Sequence, residues 1–198
     1  MTAQSETELE QLVRRVVRRT LGGEPPDSAA PAAPQPSPSA LPVSPASRRV
    51  VALGADHGGY ALKEALKTLV QSLGYTVTDC GTHSTESVDY PDFAYAVARL
   101  VSAGQAWRGI VVDGAGIGSC MAANKVPGVR AALCYDHASA VNSREHNDAN
   151  VLTLGAGLIG PALAAEIVRT WLATDFGGGR HARRIEKITA IEKRFAKE

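Results

Sequence analysis

One stretch of the chain, residues 109–130, holds the densest set of residues that could do chemistry. An apolar, β-branched run at 110–112 is typical of a buried strand in a parallel sheet, and Asp113 follows it directly. Three glycines then come at alternate positions. Such a loop lets backbone N–H groups converge on an anion or a developing oxyanion, with the carboxylate beside it as an acid or a base. A tight strand-to-helix turn capped by Asp113 explains the same pattern equally well.

Other polar side chains lie near the ends of further predicted strands. Asp56 and His57 follow the first strand, and His137 follows the fourth. Because ligands of parallel sheets bind outside the carboxyl ends of the strands, Asp56 and His57 are candidates for the same site as Asp113. A capped turn is the alternative for this pair, and an exposed helix start explains His137 better. His146 precedes the fifth strand, so it reaches the site only if its helix ends near that crevice.

The elements that must position these residues alternate between strands and helices from Arg49 onward. Strands are predicted at 49–53, 75–79, 109–113, 129–134 and 151–154. Helices are predicted at 60–73, 91–103, 138–145 and 161–173, with a last helix after the glycines at 177–179. This alternation predicts an α/β fold with a doubly wound, five-stranded parallel sheet and helices on both faces.

Composition argues against several classes of function. The chain has 21 basic and 20 acidic residues, so no global field favours nucleic acid or an anionic membrane. It contains no apolar run of transmembrane length, and its polar, acidic start does not resemble a signal peptide, so we expect a cytoplasmic protein. Cys80, Cys120 and Cys134 lack metal-ligand spacing. We therefore expect reduced thiols and neither a metal nor a cofactor.

The first 48 residues differ from the rest. Apolar residues recur at helical spacing after a capping-box pattern, which predicts an amphipathic helix over 5–21 within a targeting segment at 1–22. Residues 23–48 are rich in Pro, Ala and Ser and predict a disordered linker, leaving 49–198 as the folded domain. A helix with an apolar face and no domain to cover it needs a partner, which could be a protein groove, a membrane surface or its own copies.

Taken together, the motifs of the folded domain resemble those of the ribose-5-phosphate isomerase type B family, which also includes the subunits of galactose-6-phosphate isomerase. The matching stretches are GADHGGYALK (54–63), GTHSTESVDYPDFA (81–94), GAGIG (114–118), AANKVPGVRAA (122–132), SREHNDANVLTLGAG (143–157) and GGRHARRIEKI (178–188). The resemblance covers about 49–195. It implies a Rossmann-like sheet, dimers or tetramers whose active sites are shared between two subunits, and aldose–ketose isomerisation of a sugar phosphate through an enediolate.

The resemblance also implies roles for individual residues. Asp113 stands where many members carry a catalytic cysteine, and His146 matches the ring-opening histidine, with Asn147 beside it. Asp56 and His57 match a substrate-contacting pair. The loop residues that would bind substrate are Gly114, Ala115, Gly116, Ile117 and Gly118. The backbone from Ala115 to Ser119 would line the oxyanion hole, and Ser119 is counted with Asp113 and His146 as a catalytic residue.

Three further positions complete the implied site. Tyr90 lies in the matching Asp-Tyr-Pro loop. Arg180 and Arg184 match phosphate-binding arginines, and their i, i+4 spacing places both guanidinium groups on one helix face. Guanidinium forks suit phosphate because they bind it through two parallel hydrogen bonds.

The chain departs from the family pattern at three positions. Asp113 replaces the cysteine, Ser119 stands where another branch carries a glutamate base, and Gly157 replaces an arginine that often contacts phosphate. The segment around Asp113 looks more like galactose-6-phosphate isomerase subunits than like the pentose enzymes. Ribose 5-phosphate is the first candidate substrate. The alternative substrates are a hexose 6-phosphate and a tetrose phosphate. A further alternative is a catalytically weak paralogue that only binds a sugar phosphate.

The N-terminal segment resembles the encapsulation peptides that recruit enzymes into bacterial microcompartments. This resemblance implies that the isomerase is luminal cargo and that residues 5–21 dock to a shell protein or to other cargo. Docking to an anionic membrane is the alternative, since four arginines flank the apolar stripe.

Overall fold

The computed structural model of the chain describes residues 50–195. Its strands are β1 (Val50–Ala55), β2 (Thr76–Asp79), β3 (Arg108–Asp113), β4 (Ala131–Leu133) and β5 (Val151–Gly155). Its helices are α1 (Tyr60–Ser72), α2 (Tyr90–Ser102), α3 (Ile117–Ala123), α4 (His137–Glu145), α5 (Pro161–Ala173) and α6 (Arg180–Phe195). None of the helices in this range is long and apolar enough to cross a bilayer. The predicted helix at 5–21 and the linker at 23–48 lie outside the described residues.

The five strands form one parallel sheet in the order β2-β1-β3-β5-β4. The predicted α/β fold with a five-stranded parallel sheet is therefore confirmed. The strand order reverses between β1 and β3, because the chain moves outward from β1 to β2 and then returns to the other side of β1. In open α/β sheets the crevice at such a reversal is where ligands bind.

The hydrophobic core lies on both faces of the sheet, as the doubly wound fold requires. On β3, Ile110 and Val112 point into one cluster, which includes Trp171 of α5. Val111 points into the other cluster, with Val97 of α2. All five side chains are fully buried, and the alternation along β3 follows from the two-residue period of a strand. The sheet is thus packed on both faces up to the point where β3 ends in Asp113.

Two elements differ from the prediction. The seven-residue helix α3 has no bounds in the sequence prediction, which offers a strand-to-helix turn here as one of two interpretations; Gly116, at φ 77°, supplies the left-handed turn that starts the helix. The predicted strand 129–134 shortens to β4. The backbone N–H of Arg130 donates to Asn150 Oδ1 at 2.7 Å instead of joining the ladder, and Asn124 binds both backbone groups of Ala131.

Candidate active site

The carboxylate of Asp113 lies inside the loop that follows β3. Oδ1 accepts the backbone N–H of Ala115 at 2.8 Å and that of Gly116, and Oδ2 accepts the N–H of Ser119 at 3.0 Å. Asp113 is only 4% exposed. A carboxylate has about four acceptor positions, so one position, on Oδ2, has no backbone donor. The capping aspartate is therefore present, and the amides of Ala115, Gly116 and Ser119 converge on the carboxylate of Asp113 itself. A cradle for a substrate oxyanion stays a prediction.

The same loop is held from outside by the segment after β5. The N–H of Ala156 donates to the carbonyl of Asp113 at 2.8 Å, and the N–H of Gly157 donates to the carbonyl of Gly114 at 2.9 Å. A Cβ on Gly155 would lie 2.6 Å from the carbonyl carbon of Ala115. No side chain fits there, so residue 155 must be glycine for the loop to sit where it does. Sequence reasoning did not single out Gly155.

Asp56 lies beside this loop, at the end of β1. Its Oδ1 accepts the N–H of Gly59 at 2.9 Å at the start of α1, and its own N–H donates to the carbonyl of Val112 at 3.2 Å. Asp56 is buried, and a Cβ on Gly58 would lie 3.7 Å from the nitrogen of Gly114. The capped turn that the sequence left open is therefore present, and it brings Asp56 next to the Asp113 loop. A contact of Asp56 with substrate stays a prediction.

His57 and Tyr90 complete this part of the site. The imidazole of His57 is exposed, and its Nδ1 lies 3.2 Å from both backbone groups of Val88. Tyr90 starts α2, and its ring lies against the loop: a Cβ on Gly118 would come within 2.7 Å of the phenolic oxygen. We call the space bounded by Asp56, His57, Tyr90 and residues 113–119 the switch crevice, because it lies at the reversal of strand order.

A buried ion-pair network supports the loop that leads to Tyr90. Lys63 is fully buried, and its Nζ lies 2.7 Å from Asp79 Oδ1, while Lys67 Nζ lies 2.6 Å from Oδ2. Asp79 Oδ1 also accepts the N–H of Gly81 at 3.0 Å. Burial alone would raise the pKa of Asp79, but the hydrogen bonds from Lys63, Lys67 and Gly81 outweigh it and lower the pKa to about 2. Sequence reasoning missed this network.

His146 lies in a different group of side chains. Its ring stacks on that of His181, with centroids 4.2 Å apart and planes 6° apart, and its Nδ1 lies 2.8 Å from Asn142 Nδ2. Asn147 Nδ2 lies 3.4 Å from Asn142 Oδ1, and Arg180 Nε lies 3.5 Å from His181 Nε2. We call these five residues the histidine cluster. Desolvation lowers the pKa of His181, and the positive charges near it lower that pKa further.

Two buried arginines hold the segments that carry the histidine cluster. Arg144 Nη1 lies 2.8 Å from Asp148 Oδ1, and its Nε donates to the carbonyl of Thr174 at 3.3 Å. Arg108 Nη1 donates to the carbonyl of Trp171 at 2.6 Å. Burial and the charge of Arg144 lower the pKa of Arg108 to about 9. The end of α5 is thereby tied to the end of α4, where His146 lies.

The switch crevice and the histidine cluster lie at opposite edges of the sheet. Helix α4 starts after β4 and ends before Val151, the first residue of β5, which pairs with Gly109 near the start of β3. His146 therefore lies at the amino edge, whereas Asp113 lies at the carboxyl edge. No hydrogen bond or ion pair within residues 50–195 joins the two groups. One chain thus brings Asp56, His57, Tyr90 and Asp113 together and leaves His146, Asn147, Arg180 and Arg184 apart from them.

The three cysteines lie in surroundings that disfavour a reactive thiolate. Burial raises the pKa of the Cys120 thiol, and its Sγ lies 3.5 Å from the carbonyl of Ala131. Burial also raises the pKa of Cys80, to about 11, and that of Cys134. A thiol must be ionised to act as a nucleophile or base, so these environments do not suit that role. Among residues 50–195 no group of three or more His, Cys, Asp or Glu side chains is placed to hold a metal ion.

Comparison with known proteins gives matches over most of the chain. The family model described as Ribose/Galactose Isomerase matches residues 51–188. The ribose-5-phosphate isomerase B of Escherichia coli is 45% identical over 144 residues, which cover 73% of this chain and 97% of that protein. The D-erythrulose-4-phosphate isomerase of Pectobacterium atrosepticum is 46% identical over 143 residues, covering 72% and 94%.

A solved structure, the ribose-5-phosphate isomerase B of Clostridium thermocellum, shares the fold over the same extent. It is 52% identical, with a TM-score of 0.73, and the match covers 74% of this chain and 99% of that one. Sequence, family model and fold therefore agree with the resemblance that the motifs predicted. The chain belongs to the ribose/galactose isomerase family.

Proposed function

We propose that this chain interconverts an aldose phosphate and a ketose phosphate, with ribose 5-phosphate and ribulose 5-phosphate as the first candidate pair. The observation that carries the proposal is the buried Asp113 carboxylate, which three loop amides orient at the strand-order reversal. The name of the E. coli relative supports the pentose substrate.

Asp113 is the proton-transfer group in this proposal. Its Oδ2, which accepts only one backbone bond, takes the proton from C2 of the open-chain aldose and leaves a 1,2-enediolate. Returning that proton to C1, with transfer of the hydroxyl proton from O2 to O1, gives the ketose. Asp113 takes the N–H groups of Ala115, Gly116 and Ser119, so the donors proposed for the enediolate oxygen are the N–H groups of Gly114, Ile117 and Gly118.

Ring opening and phosphate binding are assigned to the other edge of the sheet. His146, beside Asn147, is the proposed ring-opening group, and the exposed Arg180 and Arg184 are the proposed phosphate ligands. Because these residues and Asp113 lie at opposite edges of one chain, a complete site requires that a second copy present its histidine cluster to the switch crevice. The distance between the two groups within one chain supports a shared site in a dimer or tetramer.

The size of the sugar decides between this proposal and its alternatives. The Pectobacterium relative carries the name of a tetrose-phosphate isomerase and is as similar to this chain as the E. coli relative, so identity does not discriminate between the substrates. The experiment is to assay isomerisation of four-, five- and six-carbon aldose phosphates and to measure their binding. Turnover that is fastest with ribose 5-phosphate supports the proposal. Binding of all three sugars without turnover would contradict it and favour a catalytically weak paralogue.

We also propose that residues 5–21 recruit the enzyme into a bacterial microcompartment by docking to a shell protein or to other cargo. The support is the periodic apolar stripe of the sequence, which is separated from the isomerase domain by the Pro- and Ala-rich segment. This assignment is independent of the chemistry at Asp113.

A further inference from the structure

Tyr135 lies behind the loop that carries Asp113. It follows β4, is half-buried, and donates its phenolic hydrogen to the carbonyl oxygen of Ala115 at 2.7 Å. The two residues are 20 positions apart in the sequence, so only the fold brings them together. Tyr135 lies outside the stretches that resemble the isomerase family, and the proposed reaction gives it no role.

The hydrogen bond from Tyr135 ends on the same peptide group that supports the base. The carbonyl of Ala115 and the N–H of Gly116 belong to one planar peptide unit, and that N–H donates to Asp113 Oδ1. The tyrosine hydroxyl and the carboxylate therefore bind opposite ends of one peptide dipole. Hydrogen bonds in such a chain polarise one another, so the tyrosine strengthens the donation to Asp113.

The 115–116 peptide is held by close packing and by a hydrogen bond. A Cβ on Gly155 would lie 2.6 Å from the carbonyl carbon of Ala115, and a Cβ on Gly116 would lie 2.9 Å from the carbonyl carbon of Leu154. This packing limits the position of the peptide, and the bond from Tyr135 to the carbonyl of Ala115 adds a directional contact. The tyrosine hydroxyl therefore helps to direct the Gly116 N–H at the carboxylate.

We propose that Tyr135 is a positioning residue for proton transfer, because it holds the 115–116 peptide in the orientation that binds Asp113. The proposal rests on the proposed isomerase function of the switch crevice. It goes beyond that function because it links the segment after β4 to the base. Strand β4 contributes no group to the crevice itself, and the link is made through Tyr135. Tyr135 does not touch the substrate in this account, so its hydroxyl affects kcat rather than KM.

The test uses Tyr135→Phe in the full chain, which removes the hydroxyl and keeps the ring. Tyr75→Phe is the matched control, because Tyr75 stacks on Trp107 with ring centroids 5.6 Å apart and has no contact with the crevice. We expect Tyr135→Phe to lower kcat about threefold to tenfold, with KM changed less than about twofold, as for loss of one hydrogen bond. We expect Tyr75→Phe to leave both constants unchanged.

The split between kcat and KM separates positioning from packing. Without the tyrosine hydroxyl, the Gly116 N–H donates more weakly to Asp113, so the proposed base is held less firmly, but no contact with the sugar phosphate is removed. A lower kcat at an unchanged KM is therefore expected in Tyr135→Phe and not in Tyr75→Phe. With kcat referred to the folded fraction of each variant, this split also decides the matter for a less stable variant.

Each outcome bears on one claim. A wild-type chain that turns over no aldose phosphate would contradict the proposed function. An active wild type, with Tyr135→Phe equal to Tyr75→Phe in kcat and KM, would overturn the role of Tyr135 alone. A KM that rises as much as kcat falls would also overturn it, because that result would be a general effect on the packing of the crevice.

Discussion

Oδ2 of Asp113 accepts the backbone N–H of Ser119 at 3.0 Å, and this bond ties the end of β3 to the first turn of α3. The same carboxylate therefore shapes the loop and is the proposed base. A cysteine at this position could not accept three backbone bonds in the same way. The loop in this chain is organised around its own carboxylate.

Substitution of Gly155 tests whether the loop geometry matters for activity. In Gly155→Ala the new Cβ would meet the backbone of Ala115 at 2.6 Å, so the loop must shift away from β5. We expect kcat to fall at least about tenfold, since a displaced donor or base loses most of its effect. Gly160→Ala is the control, because a Cβ at Gly160 meets nothing within 4 Å. Equal kcat values for the two variants would show that the loop position is not critical.

The ion pairs of Asp79 predict a specific dependence of stability on pH. The pKa of Asp79 is lowered from 3.8 to about 2, so the folded state favours its charged form. This contribution is fully present above pH 4 and is lost as the pH falls from about 4 to about 2. By linkage it amounts to roughly 2 kcal/mol of the free energy of unfolding.

Asp79→Asn removes this contribution. Urea unfolding at pH 7 should show a less stable variant, and the difference from the wild type should shrink by about 2 kcal/mol as the pH is lowered toward 2. The variant also leaves the buried Lys63 without its carboxylate partner. This lowers the free energy of unfolding by a further amount, which does not change with pH as Asp79 titrates. A stability difference that stays constant between pH 7 and pH 2 would contradict the assignment.

Hydrophobic periodicity predicted the sheet and most helix bounds, because buried strands and amphipathic helices carry local patterns. The bounds of α5, Pro161–Ala173, agree with the sequence prediction. Local patterns do not reveal contacts between distant segments. The bond from Tyr135 to Ala115 and the burial of Lys63 on an otherwise amphipathic helix are of this kind, since each depends on a partner that only the fold supplies.

The candidate site was only partly predictable for a related reason. Residues that follow β1 and β3 converge because parallel strands share a carboxyl edge, and Asp56 and Asp113 do lie at neighbouring loops. His146 comes at the end of a helix that returns to the amino edge of the sheet. Local sequence patterns could not predict how far it lies from Asp113, because that distance depends on the order of the strands. The sequence allowed a strand-to-helix turn after Asp113, but the bounds of α3 were not predictable, because glycines precede it and it has only seven residues.

Mixed assemblies test whether the site is shared between copies. We expect Asp113→Asn and His146→Asn to be nearly inactive alone and to recover activity when they are co-expressed. If one chain supplies the switch crevice and its partner the histidine cluster, each mixed dimer has one intact site. Random pairing should then restore about a quarter of the wild-type activity.

The matched control pairs two variants of the same crevice. In a mixed dimer of Asp113→Asn with Asp56→Asn, every site carries one of the two changes, so no activity should return. Recovery in this control, or none in the pair with His146→Asn, would contradict a site shared in this way.

Deletion of residues 1–48 tests the proposed targeting segment. The isomerase domain contains all the described strands and helices, so we expect unchanged kcat, KM and oligomeric state. The truncated chain should no longer co-purify with microcompartment shells, whereas the full chain should still do so. Unchanged co-purification would contradict the targeting role. Loss of binding to anionic vesicles, with no effect on shells, would favour membrane docking instead.

The most direct test of the account is the turnover of ribose 5-phosphate by Asp113→Asn, compared with the wild type after both are shown to be folded. An amide cannot take the C2 proton, so the account predicts that kcat falls about 10²- to 10⁴-fold while the sugar phosphate still binds. A folded Asp113→Asn variant that turns over ribose 5-phosphate at the wild-type rate would contradict it.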